Sequence, residues 1–269
     1  MKISLVHYLN SAPLGWAFLH GPFQGRFEII PSSPANCADQ LASGAVDIGL
    51  IPSIEYQRIP GLQIIPDISI ASRAAVRSIL LIRPKGKQSI RSVALDTSSR
   101  TSVSLTKILL QVKMGLRPEY VPHSPDVSAM LNRCDAALLI GDPALKIGLE
   151  DYDTLDLAEE WVRWQRRPFV FAFWACRSSA NLPSDLNAIF LEAKNWGLGK
   201  REEIASVYAE SLNLPKSFLE LYLAKNIDFD LGPDHIAGLE QYYRLAGQQN
   251  LIPELRPLRF FGFPKPAQE

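Results

Sequence analysis

The sequence predicts an α/β protein of two lobes. Two blocks of short apolar strands alternate with helices, two long extended apolar runs separate and close them, and the rest reads as helix. A length of 269 residues, at roughly 150 per domain, agrees with just under two domains. Lys2 to His7 is the first strand. Pro13 to His20 is a short helix opened by Asn10, Ser11 and a proline near its first position. Phe27 to Ile30 is a second strand. Ser33 and Pro34 then read as N-cap and first residue of a helix that Gly44 stops. Asp47 to Ile51 is a buried strand. This β-α-β-α-β order predicts a parallel sheet covered by helices.

Ile64-Ile65 and Ile68 to Ala71 extend the chain into a longer run, Arg77 to Arg83, broken by Pro84, Lys85 and Gly86. The second block then begins: strand Ser92 to Leu95, helix Thr101 to Met114, strand Glu119 to Val121, helix Pro125 to Leu131, strand Asp135 to Ile140. Tyr152 to Leu155 reads as a strand, Ala158 to Trp164 as a short helix, and Phe169 to Cys176 as a very apolar strand. Four helices follow. Leu186, Ile189, Phe190, Ala193 and Trp196 mark the first, closed by Gly197; Ile204, Val207 and Tyr208 mark the second; Phe218 to Leu223 and Pro233 to Ala246 are the others. From Pro264 the chain reads as a frayed tail. The crossings between lobes fall near Leu81 to Lys85 and Phe169 to Phe173. One lobe then holds residues 1–83 and 174–269, the other 88–170. Such a pair encloses a cleft at the carboxyl ends of its strands, where ligands bind.

Lys+Arg and Asp+Glu are both 28, with no basic cluster, which argues against nucleic acid as a partner. Hydrophobic residues at 47% and charged residues at 21% exclude a disordered chain. Cys37, Cys134 and Cys176 stand far apart, and no two of the four histidines are spaced i, i+4, so no metal is expected. His7, Asn10 and Ser11 interrupt the N-terminal apolar residues before a signal-peptide core forms. No run reaches the ~18 apolar residues of a membrane span. With three unpaired cysteines, the expectation is a cytoplasmic protein with no membrane partner.

The segment richest in chemistry is Asp96-Thr97-Ser98-Ser99-Arg100-Thr101-Ser102, between a strand and a helix. One cap needs one hydroxyl, and here there are five. The excess, with the exposed N–H groups and the helix dipole, predicts a carboxylate site whose donors are Ser98, Ser99, Thr101 and Ser102. Asn10-Ser11 ends the first strand and reads either as a cap or as the facing wall of the cleft. Ser78, after Arg77, either bonds a backbone group or faces the ligand. Gly141-Asp142-Pro143 follows the strand AALLI, and Asp142 either caps a helix or points into the cleft. Glu159 and Glu160 read as solvated. Walker A, G-x-G-x-x-G and G-x-S-x-G motifs are absent. Composition and spacing alone thus stop at a two-lobed α/β protein that binds a small carboxylate.

Seven strings carry more: YLNSAPL (Tyr8 to Leu14), DIGLIPSIEY (Asp47 to Tyr56), PDISIAS (Pro66 to Ser72), VRSILL (Val76 to Leu81), LDTSSRTS (Leu95 to Ser102), AALLIGDPAL (Ala136 to Leu145) and AEEWVRWQRRPFVFAFWACR (Ala158 to Arg177). In this order they resemble the chorismate dehydratase (MqnA) family of the futalosine route to menaquinone. The resemblance covers residues 1–177; the helical remainder fits in length and type. It implies a periplasmic-binding-protein-like fold of type II with two hinge crossings. It also implies a cytoplasmic hydro-lyase that dehydrates chorismate to 3-[(1-carboxyvinyl)oxy]benzoate without a cofactor. Asn10 and Ser78 are the residues it ties most closely to the reaction. Ser11, the Thr97 to Ser102 loop, Gly141 and Asp142 are read as the substrate-binding residues. The sequence departs from the family pattern at Arg73-Ala74-Ala75, and Asp96 stands where the family varies. Two other readings are a small-carboxylate binding protein and the sibling dihydroxynaphthoate synthase, for which a different N-terminal loop is expected.

Overall fold

A computed structural model describes residues 1–87 and 89–263; the tail read from Pro264 lies outside the described residues. The chain runs β1 (Lys2–Val6), α1 (Ala12–His20), β2 (Glu28–Ser32), α2 (Pro34–Ser43), β3 (Ile48–Pro52), α3 (Glu55–Arg58) and β4 (Leu62–Ser72). It continues through β5 (Ile79–Pro84), β6 (Ser92–Asp96), α4 (Arg100–Ile108), β7 (Glu119–His123), α5 (Val127–Arg133), β8 (Ala136–Ile140), α6 (Gly141–Leu145), β9 (Tyr152–Asp156) and α7 (Leu157–Gln165). Then come β10 (Phe169–Arg177), α8 (Leu186–Leu198), α9 (Arg201–Leu212), α10 (Lys216–Leu221) and α11 (Pro233–Gln248). A 3-10 turn, Leu9–Ser11, precedes α1. π-helical segments, Leu109–Lys113 and Tyr222–Asn226, prolong α4 and α10.

Two five-stranded sheets result, in the orders β2-β1-β3-β10-β4 and β7-β6-β8-β5-β9. Within each, the βα block pairs in parallel, as the alternation predicts. The fourth strand of each, β10 or β5, is antiparallel to both neighbours, so the sheets are mixed.

Sheet membership moves both crossings. The sequence places the first near Leu81 to Lys85, but β5 already belongs to the second sheet. The chain changes sheet between Ser72 and Ile79, and again between Asp156 and Phe169. All of β10 therefore lies in the first sheet. The reason is local: β5 and β10 are apolar on both faces, so their hydrophobicity is blind to the sheet that holds them. Pro84 to Gly86 marks the far end of β5, not the crossing. The crossing itself is marked by Arg77, a non-glycine residue held at φ 66°.

Local signals explain several of the helices. Ser33 accepts a hydrogen bond from the Asn36 N–H, and Gly44 closes α2 at φ 79°. Asp126 and Asp156 cap α5 and α7 in the same way. One expectation fails: Gly197 lies inside α8, which runs on to Leu198. A Cβ there would stand 1.9 Å from the Pro13 carbonyl oxygen, so this glycine serves the contact of α8 with α1. Under the first sheet, Phe18 meets Phe27, Trp174 and Phe190 with ring centroids 5.1–6.4 Å apart. Each such buried ring contributes about 2–3 kcal/mol of transfer free energy. Among the described residues, no helix is long and apolar enough to cross a membrane.

Candidate active site

The carboxyl ends of β1, β6 and β8 meet at the seam between the lobes, and the first crossing passes beside them. Four segments come together there: Tyr8 to Ser11, Asp96 to Ser102, Ser78, and Gly141-Asp142. The Leu9 N–H donates to Asp142 Oδ1 at 3.0 Å, and the Tyr8 hydroxyl reaches Ser98 Oγ at 3.5 Å. The Gly141 N–H donates to the Ser78 carbonyl at 2.8 Å. Gly141 sits at φ 63°, and a Cβ on it would lie 2.8 Å from Tyr8 Cδ2. The position thus needs glycine both for its backbone and for the close approach of the tyrosine ring.

Of the sequence-predicted residues, Asn10 has the most open chemistry. Its Oδ1 is buried and has no hydrogen-bond partner. An orphaned acceptor of this kind costs about 1–3 kcal/mol, a cost a bound donor removes. Its neighbour Ser11 is different. The Ser11 hydroxyl is fully buried and faces the Val6 and Tyr8 carbonyls, at 2.6 and 2.7 Å. It holds the turn that presents Asn10. Ser78 is also fully buried, and its Oγ accepts from the Tyr222 hydroxyl at 2.8 Å.

The hydroxyl-rich loop is mostly spent on itself and on the seam. Ser99 caps α4, accepting from the Ser102 N–H, and donates to Ser102 Oγ at 2.9 Å. Thr101 Oγ1 accepts from the Ile54 N–H at 3.2 Å and lies 3.4 Å from Ser53 Oγ. Thr97 Oγ1 donates to the His123 carbonyl, and Ser98 Oγ to Asp96 Oδ1. The surplus of hydroxyls is therefore largely spent within the loop and its own lobe, with Thr101 and Ser98 reaching across to the other. What it leaves for an anion is the start of α4, where the Arg100 and Thr101 N–H groups have no intrahelical acceptor, because the Thr97 and Ser98 hydroxyls already donate within their own loop and strand edge. Asp96 is fully buried with Oδ2 unpartnered, and burial pushes its carboxyl above the usual range.

Arg100, which composition does not single out, clamps the lobes. It donates to Glu55 Oε2 at 2.9 Å and to both Asp39 oxygens at 2.8–2.9 Å. Glu159, by contrast, is a surface residue paired with Arg163 at 2.6 Å. The half-buried carboxylate that ties this region together is Asp156. It accepts from the Val76, Arg77, Ala158 and Glu159 N–H groups, fixing the crossing to α7. Sequence reasoning passed over it because an N-cap aspartate looks the same whether it holds one helix or two segments. Among the described residues, no three His, Cys, Asp or Glu side chains gather as a metal site.

Burial raises Asp142 to a pKa of about 6, against a partial offset from the Leu9 N–H. The folded protein thus holds this proton more tightly than the unfolded chain. Stability is penalised above about pH 6, and the penalty fades as pH falls toward the ordinary value of 3.8. Asp142→Asn keeps an oxygen for the Leu9 N–H and removes the charge. The variant is expected to gain on the order of 2–3 kcal/mol at pH 7.5 and nothing near pH 4. Denaturant unfolding at the two pH values checks this; an equal change at both would contradict it.

Comparison with known proteins gives the family and the fold. A family profile described as menaquinone biosynthesis matches residues 1–248. The chain is 31% identical over 263 residues to a chorismate dehydratase of Thermus thermophilus, covering 91% of this chain and 94% of that one. Solved structures share the fold. A crystal structure of an Archaeoglobus fulgidus protein superposes with a TM-score of 0.75 at 17% identity, covering 93% and 98% of the two chains. The periplasmic aliphatic sulphonate binding protein of Escherichia coli gives 0.64 at 14% identity, covering 94% of each. The two-lobed fold is thus that of periplasmic binding proteins, and the chain belongs to the menaquinone-biosynthesis (MqnA) family.

Proposed function

We propose that this protein is a hydro-lyase that dehydrates chorismate to 3-[(1-carboxyvinyl)oxy]benzoate in menaquinone biosynthesis. The observation that carries the reading is the similarity to a chorismate dehydratase over 91% of this chain and 94% of that one. The chemistry is compatible with the residues there. The C3–H of chorismate is conjugated through a ring double bond to the ring carboxylate. Removing that proton drives charge onto the carboxylate, and loss of the C4 hydroxyl gives a benzoate. Aromaticity supplies the driving force, and the reaction is redox-neutral, so no redox cofactor is called for. The protein must supply donors toward the developing charge, a fixed ring orientation and help for the leaving hydroxyl. The N-terminus of α4 suits the first task, Asn10 the second and Ser78 either the first or the third. The same reading puts the protein in the cytoplasm.

Neither Asn10 nor Ser78 is basic at neutral pH. The substrate carries its own carboxylate on the enolpyruvyl arm at C3, which folds back to take the proton. The protein then positions the arm and stabilises charge. Incubation with chorismate, followed by mass and ultraviolet absorbance, tests the activity; no new aromatic product would sink it. Asp142→Asn and Glu159→Gln are expected to keep turnover within about tenfold of wild type, ~1.4 kcal/mol of barrier. If either variant folded and bound chorismate normally yet lost turnover, that residue would be the base and substrate assistance would be wrong.

A further inference from the structure

The C-terminal helices grip the first crossing at three points. Phe218 lies under the Arg77 guanidinium, 5.9 Å from it. The Tyr222 hydroxyl donates to Ser78 Oγ at 2.8 Å, and Asn226 Nδ2 donates to the Ala75 carbonyl at 2.8 Å. The three residues are four apart in sequence and share one face of α10 and its π-helical extension. On the other side, Asp156 accepts the Val76 and Arg77 N–H groups, and Gly141 donates to the Ser78 carbonyl. The Ser78 backbone is therefore fixed on both sides, at the cost of the left-handed Arg77.

That leaves the Ser78 hydroxyl rotor. A serine hydroxyl has one hydrogen and two acceptor positions. Tyr222 is fully buried, and burial pushes its phenol far above the ordinary tyrosine value, so it remains a neutral donor. Its hydrogen occupies an acceptor position of Ser78 Oγ. Among the described residues, Tyr222 is the side-chain partner of that oxygen, and the Ser78 hydrogen itself meets no protein acceptor.

We infer that Tyr222 is a positioning residue: by donating to Ser78 Oγ, it turns the Ser78 hydroxyl into a committed donor toward the bound substrate. Without the phenol, Ser78 is free to rotate and to act as an acceptor, which does nothing for a developing negative charge. The inference rests on the dehydratase reading and on Ser78 acting in it.

The test is a double-mutant cycle on the full chain, measuring kcat and KM for chorismate in wild type, Tyr222→Phe, Ser78→Ala and the pair. Tyr222→Phe is expected to lower kcat about tenfold or more with KM changed less than about threefold, an interaction felt in the transition state. Adding Tyr222→Phe to Ser78→Ala is expected to cost nothing further. A purely structural tyrosine would instead give multiplicative losses and a lowered Tm. Multiplicative losses, or a kcat for Tyr222→Phe within about twofold of wild type, would overturn the inference while Ser78→Ala still reports on Ser78. Trifluorotyrosine at position 222, a stronger donor of similar shape, covers the case in which phenylalanine is not tolerated. It is expected to shift kcat at unchanged Tm, and an unchanged kcat would count against the role. No product from the wild-type protein would remove the dehydratase reading, and this inference with it.

Discussion

Asn10→Ala is expected to lower kcat/KM for chorismate by about a hundredfold or more, about 2.7 kcal/mol of barrier, without weakening the fold. The two halves of this expectation have one cause. Asn10 Oδ1 is buried and bonded to nothing in the protein. Deleting it breaks no hydrogen bond of that oxygen and removes an acceptor whose burial costs about 1–3 kcal/mol. The turn that carries it stays held by the Ser11 hydroxyl and by the Leu9 N–H on Asp142. The Tm is therefore expected to stay level or to rise. A residue that weakens the fold where it stands is retained for what it binds. Steady-state kinetics with a thermal melt on the same preparation checks both halves. Activity within about threefold of wild type would show that Asn10 orients nothing in the reaction.

Gly197→Ala is expected to give the largest loss of stability, on the order of 3 kcal/mol and a Tm lower by roughly 10 °C. In an exposed helix the same change gains about 1 kcal/mol of helix propensity. Here the new methyl would stand 1.9 Å from the Pro13 carbonyl oxygen and 2.8 Å from its carbon, both backbone atoms that no rotamer change moves. Helices α8 and α1 must separate, loosening the aromatic packing of Phe18 and Phe190. Pro13 is three residues from Asn10, so the folded fraction is expected to lose activity as well. Calorimetry reads the first effect, and turnover well below Tm the second. A variant as stable as wild type would mean that α1 yields without cost.

Much of the fold is legible in the sequence because its signals are local. Ser33-Pro34 and Gly44 bound α2 by their own hydrogen bonding and backbone preference, whatever surrounds them. The alternation of apolar strands and helices sets two parallel βα blocks, and continuous apolar runs mark β5 and β10 as buried. The seam segments are legible too. YLNSAPL, LDTSSRTS and AALLIGDPAL each sit at the end of a strand that the sequence identifies, and the structure gathers all three.

Only the tertiary structure decides which sheet holds β5, because hydrophobicity reports burial and not the partner. It alone assigns the hydroxyls of the Ser98 to Ser102 loop: Ser98 and Ser99 bond to near neighbours, Asp96 and Ser102, while Thr101 accepts from Ile54, 47 residues away. It separates Asn10, whose oxygen is orphaned, from Ser11, whose hydroxyl is consumed, although the two are adjacent in sequence. It turns Gly197 from an expected helix stop into a point of helix contact, and it brings Tyr222 to Ser78 across 144 residues. Caps, turns and periodicity act within a few bonds and can be read along the chain. Sheet membership, the spending of a hydrogen bond and the aim of a hydroxyl depend on atoms that only folding brings within about 3 Å.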